Sequence, residues 1–78
     1  MSVEVLYFAS FRDRAGRDAE RLPLPASLGA LYAELRARHG FAFEPSQLRV
    51  AVNGALVGWD HAVVPGDEVA FIPPVSGG

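Results

Sequence analysis

One stripe of apolar residues with helical spacing occupies the middle of the chain, and it constrains the fold more than any other feature. The stripe stands at i, i+3, i+4 and i+7 and consists of Leu28, Leu31, Tyr32 and Leu35. Ser27 precedes it as a candidate N-cap, and Gly40 follows it as a candidate C′ residue. The spacing predicts a helix over residues 27–39. Because such a helix must bury its stripe, the rest of the chain has to supply a packing surface.

Five other stretches have the composition of β-strands, and they are predicted at residues 2–8, 18–24, 48–52, 55–58 and 67–72. Pro23 inside the second stretch indicates an edge strand or a strand end. Asn53-Gly54, between the third and fourth stretches, is a strong hairpin signal. Residues 9–16 are polar and arginine-rich, so we expect a loop or a short irregular helix there.

The predicted order is β-β-α-β-β-β, with a single helix of any length. The first and last strands are strongly apolar, and we expect both near the centre of a mixed sheet. One helix on one face of such a sheet is an α+β layer pair, in the β-grasp (ubiquitin-like) arrangement. At 78 residues the chain is a single domain without cysteines, and its 50% hydrophobic content must supply the core without disulfides. The folded domain is predicted over residues 1–72.

The last strand runs into two prolines, Pro73 and Pro74, which have no N–H to continue a sheet ladder. Consecutive prolines favour a stiff, extended polyproline II segment. Gly77 and Gly78 follow, and both lack a Cβ atom. We therefore predict that residues 73–78 form an extended arm that is stiff at its root and thin at its tip.

Residues of catalytic type are scarce in the sequence. There is no cysteine nucleophile, His39 and His61 lack the spacing of a metal site, and the glycines form no phosphate-binding loop. The formal net charge is −2, and the clustered arginines of residues 12–21 alternate with acidic residues, which argues against nucleic-acid binding. We expect a protein that is not an enzyme on its own and binds no metal or cofactor.

The Gly78 carboxyl group is the remaining candidate for chemistry. With a pKa of about 3.3–3.7 it is an anion at neutral pH and a poor electrophile, so a partner must activate it. Gly77 and Gly78 have no side chain to obstruct a narrow channel or attack on the carbonyl. We predict that the surface around the arm is covered by a partner protein when a complex forms, with Phe71 and Val75 partly exposed in the free protein. The predicted partner-binding residues are Phe71, Pro73, Pro74, Val75 and Ser76.

The run Gly-Asp-Glu-Val-Ala-Phe at 66–71 leads into Pro-Pro-Val-Ser-Gly-Gly at 73–78. Together with the predicted β-grasp order and Asn53-Gly54, this ending resembles the MoaD family, the small subunits of molybdopterin synthase. The resemblance covers the whole chain. Ser76 stands where the family often has Ala or Thr, which is a small-for-small difference. The run before the prolines is more specific than the double glycine, which all ubiquitin-like proteins and sulfur carriers share.

The resemblance implies a mechanism and a set of partners. An E1-like, ATP-using enzyme adenylates the Gly78 carboxylate, and a sulfurtransferase converts the adenylate to a thiocarboxylate. The arm then inserts into the large synthase subunit and gives sulfur to cyclic pyranopterin monophosphate, forming the dithiolene of molybdopterin. Two small and two large subunits form the complex, and ATP belongs to the activating partner.

Three alternatives remain open from the sequence. They are a sulfur carrier for thiazole synthesis, a ubiquitin-like protein modifier and a structural interaction domain that does not use the arm. The chain has no apolar run long enough to span a membrane and no signal-peptide pattern at its start. The absence of cysteine fits a reducing compartment, so we expect a cytoplasmic protein.

Overall fold

Five strands form one mixed sheet in the computed structural model, which describes residues 1–74. The strands are β1 (Ser2–Tyr7), β2 (Ala19–Pro23), β3 (Arg49–Val52), β4 (Ala55–Val57) and β5 (Glu68–Ile72). Two helices, α1 (Ala9–Ala15) and α2 (Leu28–His39), and a 3₁₀ turn (Pro45–Gln47) complete the chain. The predictions made for Val75, Ser76, Gly77 and Gly78 concern residues outside this described range.

The strand order in the sheet is β2-β1-β5-β3-β4. β1 and β5 are parallel, with Val5 opposite Val69 and Tyr7 opposite Phe71, and the other neighbours are antiparallel. The first and last strands of the chain therefore lie in the interior of the sheet, as the sequence predicts. The predicted α+β class and mixed sheet are confirmed.

Helix α2 begins and ends where the sequence predicts. The Ser27 hydroxyl oxygen accepts a hydrogen bond from the Ala30 N–H at 3.0 Å, which caps the first turn. Gly40 closes the helix with a left-handed φ of 73°, and its N–H donates to the Arg36 carbonyl at 2.8 Å. All four members of the apolar stripe are buried. The helix therefore supplies one complete face of the core.

Helix α1 is the main departure from the predicted order of elements. The sequence predicts either a loop or a short irregular helix for residues 9–16. In the structure, Ala9–Ala15 form a seven-residue α-helix. Phe11 anchors it, since its side chain is 1% exposed and its ring centroid lies 4.8 Å from that of Phe41. Gly16, at φ 75°, ends the helix. A single buried residue gives no periodic stripe, which is why the pattern alone did not identify this helix.

The core lies between α2 and one face of the sheet. Its strand members alternate with outward-facing residues and include Val3, Val5, Val50, Val69 and Phe71. Phe71 is 0% exposed, and its ring lies 5.2 Å from that of Tyr32 between centroids. The predicted partial exposure of Phe71 is therefore wrong. Strand alternation places Phe71 on the core side with Val69, and Ile72 faces outward instead.

Asn53 and Gly54 form the predicted tight hairpin between β3 and β4. Their φ values are 53° and 85°, and Val52 pairs with Ala55 across the turn, the combination that a type I′ turn requires. The Asn53 side chain also holds the start of β5. Its Oδ1 accepts from the Glu68 N–H and its Nδ2 donates to Asp67 Oδ1, both at 2.9 Å. The hairpin thus fixes the beginning of the last strand.

Asp67 is the buried carboxylate at that junction. Its Oδ2 accepts the Val64 N–H at 3.0 Å. The hydrogen bonds from the Val64 backbone and from the Asn53 amide lower the pKa of the Asp67 carboxyl below its ordinary value. The carboxylate therefore satisfies donors that would otherwise be unpaired beside the sheet.

Replacing Leu31 by Ala tests the packing of α2. Leu31 is 2% exposed, so the Leu31→Ala variant should lose about 2–5 kcal/mol of unfolding free energy in denaturant titrations. Glu34→Ala, on the exposed side of the same helix, should change it by less than about 1 kcal/mol. Equal effects of the two substitutions would refute the placement of the stripe.

The pH dependence of stability tests the Asp67 junction. Because the folded-state pKa of Asp67 is lowered, its contribution is complete above the unfolded pKa of about 3.9 and is lost as the pH falls through the folded value. In urea titrations the wild-type unfolding free energy should fall on acidification, and Asp67→Asn should show a shallower fall. The carboxyls of Glu20 and Glu44, whose pKa values are also lowered, contribute to the slope that remains in the Asp67→Asn variant. Identical slopes in the two proteins would contradict this role.

Candidate functional site

The root of the predicted arm lies at the end of β5. Arg49 opposite Ile72 is the last pair in the ladder between β3 and β5. Pro73 is half-buried and Pro74 is exposed. Neither proline has an N–H, so the ladder cannot continue beyond Ile72. The chain therefore leaves the sheet at a defined point, as predicted.

The outer face of the sheet, opposite α2, changes character along the strands. Toward the arm it is apolar apart from Arg49, with Leu6 opposite Ala70, Ala70 opposite Ala51, and Ala51 opposite Leu56. Toward the other end it is charged, with Glu4 between Arg21 and Glu68. The arm therefore begins at the mainly apolar half of this face.

Three large apolar side chains are exposed at the arm end of the sheet. Phe8, which follows β1, is 48% exposed, Leu56 of β4 is 60% exposed and Ile72 of β5 is 37% exposed. Leu56 and Ile72 line the same groove, and Phe8 follows β1 beside the end of β5. Exposed apolar side chains gathered in this way mark an interaction site more often than scattered residues do. The residues Phe8, Leu56 and Ile72 are called the docking face below. Ile72, rather than the predicted Phe71, is the exposed residue at the end of β5. Strand alternation puts Phe71 on the buried side with Val69, and this alternation is the sequence signal that leaves Ile72 on the outer face.

A groove of about 770 Å³ runs beside the arm root, between the start of β3 and the end of β5. Pro73, Pro74 and Trp59 line it together with Leu56, and Arg49 stands at its rim. The Trp59 ring stacks on Phe71, with centroids 6.1 Å apart and an interplanar angle of 18°. Trp59 thus couples the groove to the core, a role the sequence analysis did not identify because the residue lies in an irregular stretch.

Glu20 is the centre of a polar network on another part of the molecule. Its Oε1 accepts from the Tyr7 hydroxyl at 2.8 Å and lies 3.3 Å from His39 Nε2. Its Oε2 lies 3.0 Å from Arg38 Nη1 and 3.4 Å from Arg17 Nη1. Both carboxylate oxygens are therefore occupied, and the network ties β1, β2 and α2 together.

The pKa values of this network indicate a structural rather than a catalytic role. Burial, followed by the hydrogen bond to Glu20, raises the pKa of the Tyr7 hydroxyl far above its ordinary value. Burial acts to raise the pKa of Glu20, but the hydrogen bonds from Tyr7 and His39 outweigh it and the pKa is lowered. Tyr7 thus stays protonated and Glu20 ionised at neutral pH, so neither is poised to exchange a proton.

The described residues contain neither a metal-binding cluster nor a membrane-spanning helix. Within residues 1–74, no three His, Cys, Asp or Glu side chains are grouped so that they could hold a metal ion. No helix in that range is long and apolar enough to cross a membrane. Within residues 1–74, the arm root and the docking face are the features that indicate a function.

Comparison with known proteins agrees with this geometry. Residues 5–78 match the ThiS family. The molybdopterin synthase sulfur carrier subunit of Escherichia coli K12 is 41% identical over 80 residues, covering 97% of this chain and 99% of the relative. The match therefore extends over the arm as well as the folded domain.

Two solved structures share the fold. Small archaeal modifier protein 1 of Haloferax volcanii has a TM-score of 0.76 and 26% identity, covering 95% of this chain and 98% of its own. A chain of the complex of subunits 1 and 2 of the molybdopterin-converting factor from Helicobacter pylori has a TM-score of 0.72 and 25% identity, with both chains covered completely. The resemblance found in the sequence is confirmed: the chain belongs to the ThiS family and, within it, to the family of the molybdopterin synthase sulfur carrier subunits.

Proposed function

We propose that this protein is the sulfur carrier subunit of a molybdopterin synthase and that the Gly78 carboxyl group carries the sulfur. The observation that carries the proposal is the match to a sulfur carrier subunit at 41% identity over 97% of the chain. The family match also reaches Gly78 itself. On this proposal the chain works in the cytoplasm and is not an enzyme alone, but the sulfur-donating subunit of a complex.

The proposed chemistry proceeds in stages on one carboxylate. An E1-like partner joins a Gly78 carboxylate oxygen to the α-phosphate of ATP and releases pyrophosphate, which turns a poor electrophile into an acyl adenylate. A sulfurtransferase then supplies sulfur at the oxidation level of sulfide, which forms a bond to the acyl carbon and displaces AMP, leaving a thiocarboxylate. Splitting one difficult substitution into two easier steps is the general logic of covalent catalysis. ATP is held by the activating partner, and this chain binds no cofactor of its own.

The described residues support a carrier role because their most strongly hydrogen-bonded carboxylates serve the fold and are not available for catalysis. Glu20, the most hydrogen-bonded carboxylate, is occupied on both oxygens, and Asp67 is taken up by Val64 and Asn53. β5 ends at Ile72, directly before Pro73 and Pro74, at the mainly apolar half of the outer face. A domain whose carboxylates Glu20 and Asp67 are engaged within the fold, and whose Gly78 carboxyl follows the last strand in sequence, suits a protein that other enzymes modify.

We propose that the docking face binds the large synthase subunit. The Helicobacter pylori neighbour was solved as a complex of subunits 1 and 2. Leu56 and Ile72 line the same groove as Pro73 and Pro74, and Phe8 follows β1 beside the end of β5, so a partner that receives the arm would cover them too. Burying such side chains is favourable by roughly 25 cal/mol per Å² of apolar surface. The assembly would hold two small and two large subunits, and the activating enzyme and sulfurtransferase would bind the carrier in turn.

A protein-modifier function is the second candidate, and the likeness to small archaeal modifier protein 1 favours it. Both functions begin with the same adenylate at Gly78 and differ in the acceptor. A modifier forms an amide bond with a lysine of another protein, whereas a carrier delivers sulfur and returns with its carboxylate free. The greater identity to the sulfur carrier subunit supports the carrier reading.

Intact-mass analysis tests Gly78 as the attachment point. After incubation with ATP, the activating enzyme and a sulfur source, the protein should become about 16 Da heavier, because sulfur replaces one carboxyl oxygen. Deleting Gly78, or adding one residue after it, should abolish the gain, since the carboxyl then moves by roughly 3.5 Å. Thermal unfolding should be unchanged in both variants, because the site lies beyond β5. A lengthened chain that gains sulfur as well as the native chain would exclude this site.

Substitution of Ile72 tests the docking face. Ile72→Asp should weaken binding to the large subunit by roughly tenfold or more in calorimetric titrations, because a charge replaces an apolar contact. Val64→Asp is the matched control, since Val64 is an exposed apolar residue on the loop before β5, at the opposite end of the sheet. Both variants should unfold at similar denaturant concentrations. If Ile72→Asp binds like the Val64→Asp control, the docking face is placed wrongly.

A further inference from the structure

We propose that Arg49 determines the specificity of the docking face, and that the segment of the large subunit covering the groove presents a carboxylate to it. The proposal rests on the proposed function and deepens it by naming the chemistry of the partner. Binding at the docking face would then require a charge pair as well as apolar contacts.

Arg49 occupies a singular position in the sheet. It is the first residue of β3 and lies directly opposite Ile72, the last residue of β5 before Pro73. The two side chains therefore share the outer face at the point where the arm begins. Arg49 is exposed, so its guanidinium is available to a partner.

The groove beside the arm root is otherwise uncharged. Its walls are mainly apolar and include Leu56, Val57, Trp59, Ile72, Pro73 and Pro74. Among the described residues that line it, Arg49 is the single charged side chain, and Ser46 and Gln47 are neutral. A lone cation in an apolar groove is the kind of feature that sets which partner fits.

Arg49 also lacks a partner within residues 1–74, in contrast to most of the other arginines. Carboxylates lie within ion-pair distance of four arginines, namely Arg12, Arg17, Arg36 and Arg38. Arg14 donates to the Gly40 carbonyl. No hydrogen bond or ion pair to Arg49 occurs in that part of the chain, and its cross-strand neighbour is apolar. Because Arg49 is exposed, water can reach its guanidinium.

Docking would remove that water. A partner segment that filled the groove with apolar side chains alone would leave a desolvated and unpaired charge, which is strongly unfavourable. An Asp or Glu opposite Arg49 can instead accept two parallel N–H···O bonds from the planar guanidinium. The surface thus fits an apolar segment with one carboxylate among its contacts and disfavours a segment without one.

Calorimetric titration of the full-length chain against the large subunit tests this inference. Arg49→Gln should weaken binding at least about thirtyfold, and Arg49→Glu more, because each leaves the partner carboxylate without its cation. The affinity of Arg49→Gln should also depend less on salt concentration than that of the wild type. Arg21 offers the matched control, since it is an exposed arginine of the same face at its charged end, opposite Glu4. Arg21→Gln should bind within about twofold of the wild type.

Two further measurements separate the possible outcomes. Denaturant midpoints should be equal for all variants, and formation of the Gly78 thiocarboxylate by the activating enzyme and the sulfurtransferase should be unchanged. Normal large-subunit binding by both Arg49 variants would overturn the inference, and so would a loss confined to the activation step. If the wild type itself does not bind the large subunit, the proposed function fails and the inference fails with it.

Discussion

The parallel pairing of β1 with β5 is the interaction on which the rest of the structure depends. It joins the first and last strands of the chain, with Val5 opposite Val69 and Tyr7 opposite Phe71. Because the two strands run in the same direction, both end at one edge of the sheet. Phe8 and Pro73 follow these strands, so the docking face and the arm root lie at that edge. An antiparallel pairing would have placed them at opposite ends.

Both ends of β5 are held, and this gives the arm a fixed starting point. At the beginning of the strand, Asn53 and Asp67 form hydrogen bonds that join the hairpin to β5. At its end, Phe71 is buried between Tyr32 and Trp59. Because the strand is ordered up to Ile72 before any partner binds, less conformational entropy is lost when a partner docks there. Core packing and the proposed partner recognition involve opposite faces of the same strand.

Local signals in the sequence were sufficient to predict most of the fold. The Leu28-to-Leu35 stripe with Ser27 and Gly40 predicted α2, and Asn53-Gly54 predicted the hairpin. Helix α1 was not resolved from a loop because its one anchor, Phe11, carries no periodic signal. The same limit applies to the Glu20 network, whose members come from β1, α2 and the residues around β2 and meet only in the folded chain. Such long-range pairs leave no pattern at short spacing.

Part of the candidate site could be predicted from local sequence, and part of it depends on long-range pairing of strands. The arm root at Pro73 and Pro74 was predicted from residue type alone, whereas Leu56, Trp59 and Arg49 join it through the pairing of β3 with β4 and β5.

The most direct test of the carrier account is a single-turnover reaction of the thiocarboxylated protein with the large subunit and cyclic pyranopterin monophosphate. A dithiolene holds a pair of sulfur atoms, so the account predicts that a pair of carriers returns to the free Gly78 carboxylate for each molybdopterin formed. Retention of the sulfur on Gly78, or its replacement by an amide bond to a lysine of another protein, would contradict the account.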